Sequence, residues 1–190
     1  MPKRLLSVLC ICGLAAYPFF IYLGVSFNLL NLLLPVLAVI FLLRLFSLKN
    51  TQGINTLLAS VSTLCAAIIC IAAFMADSQR IAMFYPVCVN AVLFFIFGGS
   101  LFSTKPVITR IALLYDKELP DYAIQYTRTV TKVWVLFFMA NGGMAYITAQ
   151  FCTVQTWTLY NGLIAYILTG TLAGCEYLAR IIVRRIHEKK

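Results

Sequence analysis

Long apolar runs alternate with short polar connections along the whole chain. The apolar runs cover residues 5–24, 29–46, 55–75, 82–102, 133–150 and 158–182. Each run has about the 20 residues that an α-helix needs to cross the hydrocarbon core of a membrane. The pattern therefore predicts an all-α fold, a polytopic membrane helix bundle with six transmembrane helices that form one domain over residues 1–190.

Three of the runs contain features that bear on their interpretation. Pro35 lies inside the second run, where it removes one backbone hydrogen bond, and we expect a local kink rather than a break. The fifth run is among the shortest and contains Asn141-Gly142-Gly143, which allows another backbone to approach closely. The first run exceeds the roughly 7–15 residues of a signal-peptide core, so we interpret it as a membrane span.

Composition supports the membrane class. Hydrophobic residues make up 62% of the chain and charged residues 11%, whereas soluble domains have about 45–50% and about 25%. Such a chain has too little polar surface to stay in solution, so a soluble fold is excluded. The net charge of +9 does not indicate nucleic-acid binding, because the positive residues lie in the connections between apolar runs.

The positive residues also predict the orientation in the membrane. Of the 15 Lys and Arg residues, only Arg80 lies in the connections after the first, third and fifth runs. The other 14 lie at the N-terminus, after the second and fourth runs, and in the C-terminal tail; Arg44 is counted among those after the second run. Because connections rich in Lys and Arg stay in the cytoplasm, both termini are predicted to be cytoplasmic.

The longest cytoplasmic connection, residues 103–132, begins with a short amphipathic segment. Its apolar residues recur at helical spacing, with Arg110 on the other side, at Val107, Ile108, Ile111 and Leu114. The pattern predicts a short helix between the fourth and fifth spans, either lying in the membrane interface or packed under the bundle. In the first case, Lys105 and Arg110 hold the segment on anionic lipid. Asp121 is predicted to cap a second helix that continues through Arg128 into the fifth span.

Few polar groups interrupt the apolar runs, and these are the candidate functional residues. Asn90, Asn141 and Asn161 either hydrogen-bond between helices or line a polar cavity. Glu176 is the one acidic residue inside a run, and it lies four positions before Arg180, in the order that favours an ion pair along a helix. The alternative roles of Glu176 are proton transfer and ligand contact.

No arrangement of residues indicates catalysis. The sequence has no visible nucleophile–base set, no glycine-rich phosphate loop and no Cys-x-x-Cys pair. His187 is the single histidine and lies in the charged tail, and six of the seven cysteines lie within apolar runs, where a thiol behaves as a small hydrophobe. We therefore predict no enzyme activity, no cofactor and no metal site.

Aromatic residues and prolines provide two weaker signals. Tyr85, Trp157 and Tyr160 fall at predicted outer ends of spans, where aromatic side chains favour the membrane interface. Tyr-Pro pairs occur at residues 17–18 and 85–86, as in an inverted repeat of two three-span halves. Nothing after the two pairs matches, so we do not infer a repeat.

The second half of the chain, over about residues 80–180, resembles the bacterial inner-membrane septation protein A family. It carries motifs of that family in order: a Lys-Pro-x-Ile-x-Arg stretch, a Leu-Pro pair, a Trp-x-x-Phe-Phe span and an Asn and Tyr stretch. The matching residues are Lys105, Pro106, Ile108, Arg110, Leu119, Pro120, Trp134, Phe137, Phe138, Asn141 and, at a wider spacing, Tyr146. The first half of the chain does not share these motifs.

The stretches YPVCVNAVLFFIFGGSLF and QTWTLYNGLIAYILTGTLAGCEYLAR also resemble an uncharacterised family of predicted bacterial inner-membrane proteins of similar length. Its genes often stand beside fatty-acid-synthase-like genes, including clusters that make aryl polyene lipids. The two resemblances imply a bacterial inner-membrane location and a cell-envelope role near acyl-lipid metabolism or division. They imply no catalytic residues.

These observations lead to two main hypotheses about function. The first is a non-enzymatic envelope protein that binds membrane lipids, or partner proteins of envelope and acyl-lipid biosynthesis, through residues 103–132. The second is a small transporter or flippase for a lipid-linked product, with Asn90, Asn141, Asn161 and Glu176 along its path. One cavity shared by these four residues would favour the second. A lipid-modifying enzyme is a weaker third hypothesis, because it lacks a visible catalytic group.

Overall fold

The computed structural model of the protein describes residues 16–48, 54–114 and 118–188. All regular elements in these ranges are helices, which confirms the predicted all-α class. In chain order they are α1 (Tyr17–Ser26), α2 (Leu30–Leu48), α3 (Ile54–Met75), α4 (Gln79–Met83), α5 (Tyr85–Ser100), α6 (Val107–Ala112), α7 (Asp121–Phe151), α8 (Val154–Leu159), a π-helical turn (Tyr160–Ile164) and α9 (Ala165–Glu188).

Four helical segments are long and apolar enough to cross a membrane, namely Thr56–Met75, Gln79–Ser100, Asp121–Phe151 and Val154–His187. The second joins α4 to α5, and the fourth joins α8, the π-turn and α9. Helix α1 and the apolar part of α2 are shorter, at 10–17 residues. Most of the first predicted span lies outside the described residues, so six spans remain a prediction. Helix α2 continues through Pro35 without a break, and the expected local kink stays a prediction.

Large apolar side chains cover much of the outer surface of these helices. Phe46, Phe95 and Met75 are among the many that are exposed. In the last long segment, Val154–His187, only 6% of the most apolar stretch is buried. So much continuous apolar surface is unfavourable in water and would cause a soluble domain to aggregate, whereas lipid chains solvate such a surface well.

Two hydrophobic clusters form the interior of the bundle. The larger one, the Tyr17 cluster, contains residues from each of the five helices α1, α2, α3, α4 and α5, together with Ala149 and Trp157. Its largest fully buried members are Trp157, Tyr17, Phe41, Ile21 and Leu34. The smaller one, the Phe138 cluster, joins the end of α5, α6 and α7 around Phe97, Val107 and Phe138. The most extensive packing between helices is that of α2 against α3 and of α5 against α7.

Two buried hydrogen bonds attach side chains of the Tyr17 cluster to the chain around α4. The Tyr17 hydroxyl donates to the Ala82 carbonyl oxygen at 2.9 Å, and the Trp157 indole N–H donates to the Met83 carbonyl oxygen at 3.0 Å. Trp157 is fully buried. Its ring therefore fills the core and its N–H donates to a backbone carbonyl, so the side chain does not face outwards, and its depth at a membrane interface stays a prediction.

Helix α6 is the short helix predicted after the fourth span. Val107, Thr109 and Ala112 are buried, and Arg110 is exposed. The Thr109 and Thr127 hydroxyls lie 2.7 Å apart in a buried hydrogen bond to α7. These contacts favour the alternative in which the helix is packed under the bundle, and its position in a membrane interface stays a prediction.

Helix α7 begins at Asp121 and continues unbroken to Phe151, which confirms one helix running through Arg128 into the predicted fifth span. The prediction that Asp121 caps it is wrong. Pro120 occupies the N-cap position, and no side chain makes a capping hydrogen bond there. Asp121 is already the first helical residue, where its charge is favourable for the helix dipole but its side chain is past the capping position.

We predict that Trp157→Phe lowers the free energy of unfolding by about 1–3 kcal/mol, because the buried Met83 carbonyl loses its indole donor. Unfolding of the purified protein in mild detergent, followed by circular dichroism, measures the change. Trp134→Phe is the control, because this substitution removes the same side-chain volume. Trp134 packs against Phe137, with ring centroids 5.6 Å apart. Equal losses in the two variants would contradict a specific role of the hydrogen bond.

Candidate functional site

A largely apolar cavity with several amide and hydroxyl groups in its wall lies where α5, α7 and the last long helix meet. Its volume is about 320 Å³, and Asn90, Asn141 and Asn161 all line it. The remaining wall combines hydroxyl-bearing and apolar side chains, namely Pro18, Ser62, Tyr85, Pro86, Val89, Leu93, Phe137, Phe138, Ala165, Tyr166 and Thr169. We call it the asparagine cavity. Its volume is at the lower end of the roughly 300–1,000 Å³ of small-molecule sites.

Asn90 and Asn141 form the centre of a hydrogen-bond chain across three helices. The Asn141 Nδ2 donates to Asn90 Oδ1 at 3.1 Å, and the Tyr160 hydroxyl donates to Asn141 Oδ1 at 2.9 Å. The Asn90 Nδ2 donates to the Pro86 carbonyl of its own helix at 2.8 Å. Both roles considered for these amides therefore apply, because they join helices and also line a cavity.

Close backbone approach at Gly142 makes the Asn90–Asn141 bond possible. A Cβ atom added at Gly142 would lie 3.0 Å from the Asn90 Cβ, whereas one added at Gly143 would meet nothing within 4 Å. Only the first glycine of the pair is thus required by packing against α5. The sequence-based expectation of close approach at this pair is confirmed for Gly142.

Asn161 lies in the π-helical turn and is 4% exposed. Its Nδ2 donates to the Trp157 carbonyl at 2.9 Å and to the Thr148 hydroxyl at 3.1 Å. Its Oδ1 is buried and has no hydrogen-bond partner within the described residues. π-Turns inside helices often occur at functional sites, and here the turn places an amide with spare acceptor capacity beside the cavity.

Helix α1 packs directly against this turn. A Cβ atom added at Gly162 would lie 3.1 Å from the Phe19 ring and 3.4 Å from Pro18. Pro18 follows Tyr17, and Pro86 follows Tyr85, so both Tyr-Pro pairs stand at the start of a helix that reaches the cavity. The Tyr17 and Tyr85 rings lie 4.5 Å apart. The two pairs meet in the fold although the sequence around them does not repeat.

Glu176 does not share the asparagine cavity. It borders a separate groove of about 270 Å³ between α7 and α9. Its backbone carbonyl accepts a hydrogen bond from the Tyr126 hydroxyl at 3.1 Å, and its carboxylate interacts electrostatically with Arg180. The structure therefore brings together three of the four polar residues predicted along a path and places Glu176 apart from them, and the ion pair of Glu176 with Arg180 stays a prediction.

Lys105 lies in the turn between α5 and α6, and Arg110 lies on α6. Both are exposed, and neither borders the asparagine cavity. The Arg110 Nε donates to the Lys105 carbonyl at 2.8 Å. Arg128 on α7 holds the same turn, since its two terminal nitrogens donate to the Leu101 and Ser103 carbonyls at 2.8 and 2.9 Å. Part of this positive charge thus stabilises the turn, and contact of Lys105 and Arg110 with anionic lipid stays a prediction.

Sequence reasoning missed the position of Arg44. We counted it with the positive charges that follow the second span, but it lies within α2 and is only 6% exposed. Tyr85 was expected at the membrane interface, yet it is 8% exposed and lines the asparagine cavity. The one available signal for Arg44 was its place inside the apolar stretch FLLRLF, where a charge is costly.

Comparisons of the chain with protein-family models, with curated proteins and with solved structures give no match. The resemblances inferred from sequence motifs therefore stay predictions. The cavity itself shows what chemistry is available. Its described lining offers amides and hydroxyls and includes no carboxylate, imidazole, thiol or amine, so the arrangement is suited to binding a molecule by hydrogen bonds.

We predict that Gly142→Ala lowers the free energy of unfolding by about 1–3 kcal/mol, because the new methyl group forces α5 away from α7. Gly143→Ala is the matched control, and it should be neutral or slightly stabilising, since alanine is favoured over glycine in a helix. Thermal unfolding in detergent compares the two variants with the parent chain. A loss of stability in Gly143→Ala as large as in Gly142→Ala would contradict the close contact with Asn90.

Proposed function

We propose that this protein is a non-enzymatic integral membrane protein that binds an amphiphilic, lipid-like molecule in the asparagine cavity. The observation that carries the proposal is the convergence of Asn90, Asn141 and Asn161 on one cavity inside an otherwise apolar bundle. Polar groups inside a membrane protein cost free energy unless they are satisfied, so a cavity that gathers them is a candidate binding site.

The two kinds of side chain in the wall match the two parts of an amphiphile. Asparagine and tyrosine groups donate and accept hydrogen bonds, as a hydroxyl, amide or carbonyl of a headgroup requires. Phe137, Phe138 and Leu93 provide apolar contacts for a hydrocarbon segment. With about 320 Å³, the cavity holds a headgroup and part of a chain rather than a whole lipid.

The cellular setting of this proposal comes from the sequence. The four long apolar helices are compatible with a membrane protein. The distribution of Lys and Arg supports cytoplasmic termini, and the resemblance to septation protein A and to proteins encoded beside fatty-acid-synthase-like genes supports the bacterial inner membrane. We accordingly propose a role in envelope or acyl-lipid assembly or in division, with other proteins of those processes as partners.

A second candidate function is a carrier or flippase for a lipid-linked product. The shared cavity of the three asparagines favours it, because a transport path needs a polar site within the bilayer. Glu176 is not part of that site. Movement of a labelled lipid-linked molecule across proteoliposomes that contain the protein would distinguish a carrier from a protein that only binds.

The experiment that tests the binding function is mass spectrometry of the molecules that stay bound after extraction in mild detergent. Ser62→Leu places a larger apolar group in the cavity wall, and the hydroxyl that it removes bonds within α3, to the Leu58 carbonyl at 2.9 Å. We expect the amount of bound amphiphile to fall about tenfold or more, which corresponds to about 1.4 kcal/mol of binding free energy.

Ser60→Leu is the control, because Ser60 lies on the same helix and does not border the cavity. This variant should retain the amphiphile. Equal amounts of amphiphile in both variants would contradict binding at the cavity. A stoichiometric protein partner without a distinctive lipid would instead favour a scaffold that acts through residues 103–132.

A further inference from the structure

Arg44 is the one charged residue in the sequences of α1, α2, α3 and α5. It lies four residues before the end of α2 at Leu48, yet it is only 6% exposed. Long basic side chains near helix ends usually extend to the membrane surface. Side chains on a helix lean towards its N-terminus, however, and at this position that direction leads into the bundle.

The Arg44 guanidinium has unused hydrogen-bond donors. Its Nε and one terminal nitrogen are buried and have no acceptor within the described residues. The helices α1 to α5 contain no Asp or Glu, so none of them can supply a carboxylate. A buried arginine without an anion is strongly destabilising for a fold, which makes an external anion the simplest way to satisfy it.

Tyr85 connects Arg44 to the asparagine cavity. Its side chain borders the cavity, whereas Arg44 itself does not line it. Phe41 lies about one turn before Arg44 on the same side of α2, and it packs with Tyr85 in the Tyr17 cluster. The buried positive charge on this side of α2 therefore lies towards the cluster that includes Tyr85 of the cavity wall. In the low-dielectric interior of a membrane protein, such a charge attracts an anion far more strongly than it would at an aqueous surface.

We infer that the amphiphile bound by this protein carries an oxyanion in its headgroup, a carboxylate or a phosphate, and that Arg44 binds that oxyanion. This inference rests on the proposed function, since it assigns the charge of the molecule in the asparagine cavity. Arginine suits the role because its guanidinium stays protonated and its planar donors match carboxylate and phosphate oxygens. The amides and hydroxyls of the cavity then contact the uncharged part of the headgroup.

The test uses the purified full-length protein in dodecyl maltoside, a detergent without charge or phosphate. The probes are oleate, dioleoyl phosphatidic acid, methyl oleate and inorganic phosphate. Oleate and phosphatidic acid differ in the source of the oxyanion, methyl oleate has the chain without the charge, and inorganic phosphate has the charge without the chain. Binding is measured from the shift of the unfolding midpoint with probe concentration, and confirmed by native mass spectrometry.

We expect oleate or phosphatidic acid to stabilise the parent chain at lower concentrations than methyl oleate or inorganic phosphate. Arg44→Met should weaken that binding about tenfold or more, as expected for the loss of a hydrogen bond to a charged group. Arg44→Lys should retain part of it. Arg185→Gln, a change at an exposed arginine of α9, should leave it unchanged.

The behaviour without any probe separates a binding role from a structural one. Because Arg44→Met removes a buried charge that lacks a partner, its unfolding midpoint should equal or exceed that of the parent chain. A lower midpoint, together with an unchanged response to oleate and phosphatidic acid, would overturn the inference. Stabilisation by inorganic phosphate as strong as by the amphiphiles would also overturn it, because the oxyanion would then belong to a soluble molecule.

The failure of this inference is distinguishable from the failure of the proposed function. Oleate and methyl oleate could bind equally well to the parent chain, and the binding of both could be lost in Ser62→Leu. In that case the cavity binds an amphiphile, but Arg44 does not bind its oxyanion. If neither amphiphile binds the parent chain, the proposed function fails and the inference fails with it.

Discussion

The hydrogen bond between the Asn141 and Asn90 side chains is the interaction on which the centre of the bundle depends. Each amide has both a donor and an acceptor, and in an apolar interior each of these needs a partner. Asn141 satisfies its donor on α5 and its acceptor on Tyr160 of the last long helix, so a single side chain links three helices. The absence of a side chain at Gly142 is what lets α5 come close enough.

The position of the amides along the helices places this hydrogen bond between the two hydrophobic clusters. On α5, Asn90 lies between residues of the Tyr17 cluster, such as Val89, and residues of the Phe138 cluster, such as Leu93. The bundle therefore has a polar layer between two apolar clusters. Apolar packing alone tolerates helices sliding past one another, whereas paired amides have one register in which they meet, so the polar layer determines how α5 and α7 align.

Features that depend on local sequence were predictable, and features that depend on packing were not. The long apolar runs gave α3 and α5 to within a few residues, because hydrophobicity over about 20 residues is a strong local signal. The Asn90–Asn141 contact joins residues 51 positions apart, and no local pattern reports it. Asp121 has the side chain of a cap, but Pro120 takes that position. Arg44 was counted among the charges that set the membrane orientation, although it is buried. Its burial depends on how the neighbouring helices pack, and no local sequence pattern reports that packing.

The π-helical turn at Tyr160–Ile164 sets the orientation of everything that follows it. A π-turn amounts to one residue inserted into an α-helix, and in an α-helix one residue corresponds to about 100° of rotation. Deleting a single residue here would restore a regular helix and turn the whole of α9 about its axis, together with its exposed apolar surface and Glu176. A relative that lacked one residue in this turn could thus keep the same six apolar runs and yet present a different side of its last helix to the membrane.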